Sequence, residues 1–173
     1  MITIEVRDAE VEQALSRLQS FMADLSEVMG KIGDHLVYST QERMKAGQSP
    51  DGTPFAPRKA STLNAYKKRE QKFGPHPLWL TGTMRENIHF QSGSDFVRVG
   101  SSAIQAAVMQ FGAAQGEFGA RIGRAGKPGR RRDHFHHIPW GDIPARPFLG
   151  VSGQDRADIL AIIGGALEAL VEP

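Results

Sequence analysis

The sequence predicts an α+β fold: a long N-terminal helix and a C-terminal helix packed on a small, mostly antiparallel sheet, with a long Gly/Arg-rich loop. Three observations carry this. Val11, Leu15, Leu18, Met22, Leu25, Met29, Ile32 and Leu36 recur at alternating spacings of 4 and 3, the period of a helix seam. Ile88 and Phe90, then Phe96, Val97 and Val99, flank a Ser92-Gly93-Ser94-Asp95 turn, which reads as a hairpin. Between residues 112 and 150 lie 8 of the 19 glycines and 4 of the 10 prolines.

The elements follow in order. Ile2, Ile4 and Val6 alternate with polar residues, as in a strand with one buried face. Asp8 suits the N-cap of the long helix, which ends by Gly47. Gly30 and Gly33 each cost about 1 kcal/mol in a helix interior, so a bend is expected there. The seam either lies on the chain's own sheet or meets a neighbouring subunit. Pro50-Asp51-Gly52 is a turn between prolines. Residues 59–73 resume helical character amid Lys59, Lys67, Lys68, Arg69 and Lys72, and a short helix contains Met84. Beyond the hairpin, residues 103–111 read as an Ala-rich helix stopped by Gly112. The segment Ile143 to Gly150, with Pro144 and Pro147, reads as an edge strand or extended chain. Ser152 caps the last helix with Asp155 three residues on, and Ile159, Ile162, Ile163, Ala166, Leu167 and Leu170 form its apolar face.

Length and composition restrict the function. A chain of 173 residues suits a single domain over 1–173. It buries roughly 70% of its unfolded surface, enough to fold without a disulfide or metal. With no cysteine, a disulfide framework, thiol catalysis and thiolate zinc sites are excluded, and a reducing cytoplasm fits. Residues 1–7 do not resemble a signal peptide. The longest apolar stretch, 13 residues from Ile159 to Val171, is interrupted by Glu168 and too short for a bilayer, so no membrane partner is expected.

The net charge of +2 hides a segregation. Residues 1–46 hold 8 acids and 5 bases, and 151–173 hold 4 and 1, whereas 47–100 hold 4 and 8 and 101–150 hold 3 and 7. A basic middle suits an anionic partner or is a solvated surface. Its sharpest part is Arg121, Arg124, Lys127, Arg130, Arg131 and Arg132, six cations in 12 residues without an acid. They belong to an extended loop or arm over 113–137, which lacks the apolar periodicity to order itself. Such a run suits DNA phosphates, an acidic protein surface or water. No recognition helix, zinc finger or ribonucleoprotein motif accompanies it.

Enzyme signatures are missing. There is no G-x-S-x-G elbow and no G-x-G-x-x-G after a strand, and Gly126-Lys127 is followed by Pro128 instead of Ser or Thr. His134-Phe135-His136-His137 has only Asp133 beside it, which is thin for a metal site. No catalytic residue, metal or cofactor is expected.

The ordered set of motifs is informative. The long helix is followed by Pro50-Asp51-Gly52-Thr53-Pro54, a Lys-rich stretch and Leu80-Thr81-Gly82-Thr83-Met84-Arg85. Then come Val97-Arg98-Val99-Gly100-Ser101, Met109-Gln110-Phe111-Gly112 and Ile143-Pro144-Ala145-Arg146-Pro147-Phe148-Leu149-Gly150. This order resembles the phage virion morphogenesis family, the tail completion proteins of Mu-like and P2-like phages and prophages, from about residue 10 to 170. The chain departs in having Ala106-Ala107 before its Gln110-Phe111-Gly112 and a long 113–137 stretch.

The resemblance implies a structural virion protein assembled in the bacterial cytoplasm. It would form a ring, commonly six-fold, at the neck, completing the tail and meeting the tail tube and the head connector. A head-side connector or stopper ring is the alternative, and a non-specific nucleic-acid-binding protein a further one. DNA passes through such rings, so the basic run implies transient contact with it. The motif residues Pro50, Asp51, Gly52, Thr81, Gly82, Gly100, Phe111, Gly112, Pro144, Arg146, Pro147, Phe148, Leu149 and Gly150 are then the family or interface set. Physically, Gly82 and Gly100 suit tight reversals or positive φ, and Phe148 and Leu149 suit apolar anchoring. Arg146 between prolines suits a carboxylate or the carbonyls of a helix C-terminus, within the chain or across subunits.

Overall fold

The computed structural model describes residues 8–115, 117, 120–123, 133–136 and 142–171. The strand expected over Ile2–Val6 lies outside them. Among the described residues the order is α1 (Ala9–Ala23), α2 (Ser26–Ala46), α3 (Ala60–Lys68), α4 (Thr83–Glu86), β1 (Ile88–Ser92), β2 (Val97–Ser101), α5 (Ala106–Phe111), β3 (Ala120–Gly123), β4 (Asp133–His136) and α6 (Gly153–Val171). The α+β class is the one expected. Its sheets are two antiparallel hairpins, β1–β2 and β3–β4.

The long helix is two helices, and the break is not at Gly30 or Gly33. It falls at Asp24–Leu25, where hydrogen bonds compete with the helix. Asp24 Oδ1 accepts from the Ser26 N–H at 2.9 Å, an Asx turn that competes with continuation of the helix. The Leu25 N–H donates to the Ser94 carbonyl at 3.1 Å, tying the break to the β1–β2 turn. Gly33 serves packing instead. A Cβ there would stand 2.2 Å from Phe90 Cδ2, so its absence lets β1 lie against α2.

The break divides the seam into unequal halves. Ile32 and Leu36 are buried with Val28, against Val97 and Val99 of β2 and Ile159, Ile162, Ile163 and Ala166 of α6. No residue of α1 is buried. Its Val11, Leu15, Leu18 and Met22 are 53%, 59%, 40% and 61% exposed. A second cluster lies at the other end of α2, where Met44 meets Phe55, Met84, Ile88, Ala106 and Phe148.

The Gly/Arg-rich stretch is not wholly without structure. β3 pairs with β4 in the register Ala120↔His136, Arg121↔Phe135, Ile122↔His134 and Gly123↔Asp133. Backbone pairing of a hairpin needs no apolar periodicity, so that criterion missed it. Arg124, Lys127, Arg130, Arg131, Arg132 and His137 lie outside the described residues. Among the described residues no helix is long and apolar enough to cross a membrane.

Candidate functional site

The segment Ile143–Gly150 is extended, as expected, and forms a strap instead of a strand. Pro144 and Pro147 lack N–H groups, so the segment cannot join a regular ladder. It makes one isolated bridge, Ala113↔Ile143, with N–H···O distances of 2.9 and 2.8 Å. Gly112 makes this approach feasible. Its φ is +76°, and a Cβ would stand 2.8 Å from the Ile143 carbonyl oxygen and 2.9 Å from the Ala145 nitrogen.

Side chains complete the attachment. Gln110 Oε1 accepts from the N–H groups of Phe148 and Leu149, both at 3.0 Å. Its Nε2 donates to the Leu149 carbonyl at 3.1 Å. Phe148 thereby enters the core with no exposure at all. The two motifs Met109-Gln110-Phe111-Gly112 and Ile143–Gly150 are thus two halves of one joint.

Arg146 is buried, and the hydrogen-bond partners of its guanidinium are neither a carboxylate nor the carbonyls of a helix terminus. Nε donates to the Ala56 carbonyl at 2.7 Å, Nη2 to Pro57 at 3.0 Å and Nη1 to Pro144 at 3.4 Å. Its own N–H donates to the Met109 carbonyl at 2.7 Å. The proline-rich 54–57 segment cannot form a continuous ladder, so its carbonyls are left for the guanidinium fork. Burial, and then the nearby Arg58 cation, lower the Arg146 pKa from its ordinary value. Arg58 is used in the same way. It donates to the carbonyls of Gly74 at 2.8 Å and Trp79 at 2.9 Å, and also to His76.

A second polar cluster holds α6 to α2. Asp155 is 1% exposed. Its Oδ2 accepts from Arg43 Nη1 at 2.7 Å and from the Ser152 N–H at 2.7 Å, and Ser39 Oγ donates to Oδ1. The Asp155 N–H returns a bond to Ser152 Oγ at 3.0 Å, completing the expected capping box. Arg43 Nη2 reaches the Gly150 carbonyl at 3.0 Å, so the strap's far end joins the same cluster. Burial acts to raise the Asp155 pKa, but bonds from Ser39 and Ser152 and the Arg43 charge outweigh it, leaving the carboxyl below its ordinary value.

Between the strap, α3 and residues 77–84 lies a cavity of about 470 Å³. Pro144 and Arg146 line it, as do Thr81 and Gly82, with apolar surface from Tyr66, Leu78 and Met84. Lys59 sits at its lip, its Nζ donating to the Asp142 carbonyl at 2.6 Å.

The structure therefore brings most of the predicted set together. Pro50 closes on Gly150, where a Cβ would lie 2.8 Å from the proline Cγ. Asp51 Oδ1 accepts from the Thr53 N–H at 3.0 Å, locking the Pro50-Asp51-Gly52 turn. Gly82 has the expected positive φ, +87°. Gly100 does not: it lies inside β2 opposite His89, with open space where a Cβ would stand. Phe111 points outward, 79% exposed. Arg121 lies in β3. Sequence reasoning missed Gln110, Arg43 and Arg58 as structural residues. Gln110 was signalled by its place in a motif, whereas Arg43 and Arg58 look like any helix or loop cation. Among the described residues no three His, Asp or Glu side chains gather as a metal site.

What these residues build is a scaffold: an α+β protein in which Gln110, Arg146 and Arg58 spend their side chains on its own backbone. The chain belongs to the phage virion morphogenesis family, whose model matches residues 6–168. It is similar to the Mu-like prophage FluMu G protein 2 of Haemophilus influenzae, 29% identical over 99% of this chain and 100% of that one. It is likewise similar to tail completion protein S of Escherichia phage P2, 28% identical over 92% of this chain and 98% of that one. No solved structure matches it.

Proposed function

We propose that this chain is a structural subunit that completes the phage tail, assembling as a closed ring at the head–tail junction, where it meets the tail tube and the head connector. The observation that supports this best is the near full-length similarity to a relative named tail completion protein S. The geometry agrees, since the motif residues stiffen a subunit that leaves apolar helix surface outside. A head-to-tail interface that closes on itself gives a ring. The basic run at 121–132 would line the DNA path or dock on a protein neighbour.

The test is a phage or prophage lacking this gene. Filled heads and separate tails should accumulate, and the supplied protein should restore joining. The purified protein, or the virion neck, should show ring-shaped particles by negative-stain microscopy, commonly six-fold. A protein that is monomeric in solution and in the virion would overturn the ring. Tails that join normally without it would overturn the tail-completion role.

A further inference from the structure

The exposed face of α1 and the cavity beside α3 are unlike surfaces, next to apolar clusters at opposite ends of α2. Val11, Leu15, Leu18 and Met22 form a single stripe, and all are at least 40% exposed. Among the described residues no residue of α1 is buried, and Phe21, near its C-terminal end, joins the α2–α6 cluster. A 15-residue helix is marginal in water without a packed face, so the stripe calls for a partner. The helix is also acidic. Asp8 caps it, Glu10 and Glu12 occupy its first turn, and Asp24 follows it, against Arg17 alone.

The cavity is the complement. Its wall offers Tyr66, Leu78, Leu80, Met84 and Met109, and its exposed charged lining is Lys59 with Asp142 beside it, next to the buried or half-buried cations Arg146 and Arg58. Further along the chain, α3 and its C-terminal extension carry Lys67, Lys68, Arg69 and Lys72, all exposed, with Glu70 as the sole acid among them. The α1 stripe joins the chain near Val28, whereas the cavity wall is continuous with the cluster at Met44. Those residues are 16 apart on α2, about 24 Å at 1.5 Å per residue.

We propose that α1 of one copy seats in the α3 cavity of the next copy, apolar stripe inward and acidic end toward its basic lining. This rests on the ring reading above and assigns its interface. It is helix-in-groove docking between two different faces, so each subunit offers one donor and one acceptor. The charge segregation along the chain then has a use, because acidic helix meets basic middle at every junction.

The test uses two variants. Leu15→Glu/Leu18→Glu spoils the donor on exposed positions, and Ser61→Trp fills the acceptor from an exposed position on α3. Each alone should run as a folded monomer by size-exclusion light scattering with native circular dichroism. Mixed one to one, they should form a heterodimer and stop there, since only one intact donor meets one intact acceptor. If Ser61→Trp still forms rings while the donor variant does not, α1 meets another surface, such as α1 of the neighbour, and the proposal is overturned. Rings from the donor variant overturn it as well.

A second measurement does not depend on those variants. The chain has no cysteine, so Leu18→Cys/Leu80→Cys in one chain should give a ladder of disulfide-linked multimers on a non-reducing gel, and neither single variant should cross-link. Dimers from Leu18→Cys alone, or wild-type rings whose double-cysteine form gives no ladder, would overturn the docking. A wild-type protein that forms no ring at all would instead remove the reading beneath it.

Discussion

Arg146 shows how one side chain joins distant parts of this chain. Its fork holds carbonyls at positions 56, 57 and 144, a range of nearly 90 residues. Arg146→Ala would leave the Ala56 and Pro57 oxygens unpaired, at a cost of about 1–3 kcal/mol each. Arg146→Lys recovers only part of this, because an ammonium cannot serve two carbonyls in a planar fork. Urea denaturation should rank wild type above Lys above Ala. Since these bonds lie within the chain, infectious particles and soluble folded subunit should fall together. Particle loss without subunit loss would mean that Arg146 also bridges subunits.

Asp155 makes a pH-dependent prediction at the same scale. Its folded pKa lies below the ordinary value of 3.8. The carboxylate therefore stabilises the fold fully above that ordinary value, and this is lost as pH falls through the lower folded pKa. Asp155→Ala should cost about 3–5 kcal/mol at neutral pH by removing the carboxylate that neutralises Arg43, whose remaining bonds go to the neutral oxygens of Ser39, Thr40 and Gly150. At about 2–4 °C per kcal/mol, the melting temperature should drop by roughly 6–20 °C. The gap between wild type and variant should narrow below about pH 4. A gap that stays constant down to pH 2 would show that the ionised carboxylate is not what stabilises the α2–α6 junction.

At the scale of elements, the split seam separates two kinds of apolar residue that the spacing makes look alike. Ile32 is 5% exposed and Leu18 is 40% exposed. Ile32→Asp buries an unpaired charge and should prevent folding, at several kcal/mol. Leu18→Asp should leave the melting temperature of the free subunit nearly unchanged, within about 0.5 kcal/mol, while reducing assembly. A melting curve and a sedimentation profile of each variant would check both. If Leu18→Asp unfolds the free subunit, α1 is a core helix and not a docking element. The β3–β4 hairpin poses a related question for the residues between its strands. Replacing Arg130, Arg131 and Arg132 together by Ala should spare subunit folding. It should alter DNA retention or ejection if that run faces DNA, and head–tail joining if it faces a protein. Normal particles with normal ejection would leave it as solvated surface.

For the whole molecule, what was legible in the sequence is what short stretches decide. The capping box at Ser152 and Asp155, the Pro50-Asp51-Gly52 turn, the β1–β2 hairpin and the stop at Gly112 each depend on residues within a few positions of one another. Local propensity and short-range hydrogen bonds act there without help from the rest of the chain. The motif order was enough for the family as well, whose model matches residues 6–168. The sequence by itself could not say where the long helix breaks. That depended on Ser94, about 70 residues from Leu25, supplying a carbonyl for its N–H. Nor could it say which half of the seam is buried, or that Arg146 would serve the carbonyls of Ala56 and Pro57. Apolar spacing marks a face, and a guanidinium marks a donor, but neither names its partner. Only tertiary structure decided these matters, because burial and long-range pairing depend on which distant segments arrive at a surface, and α6 and the hairpin reach α2 but leave the stripe of α1 uncovered.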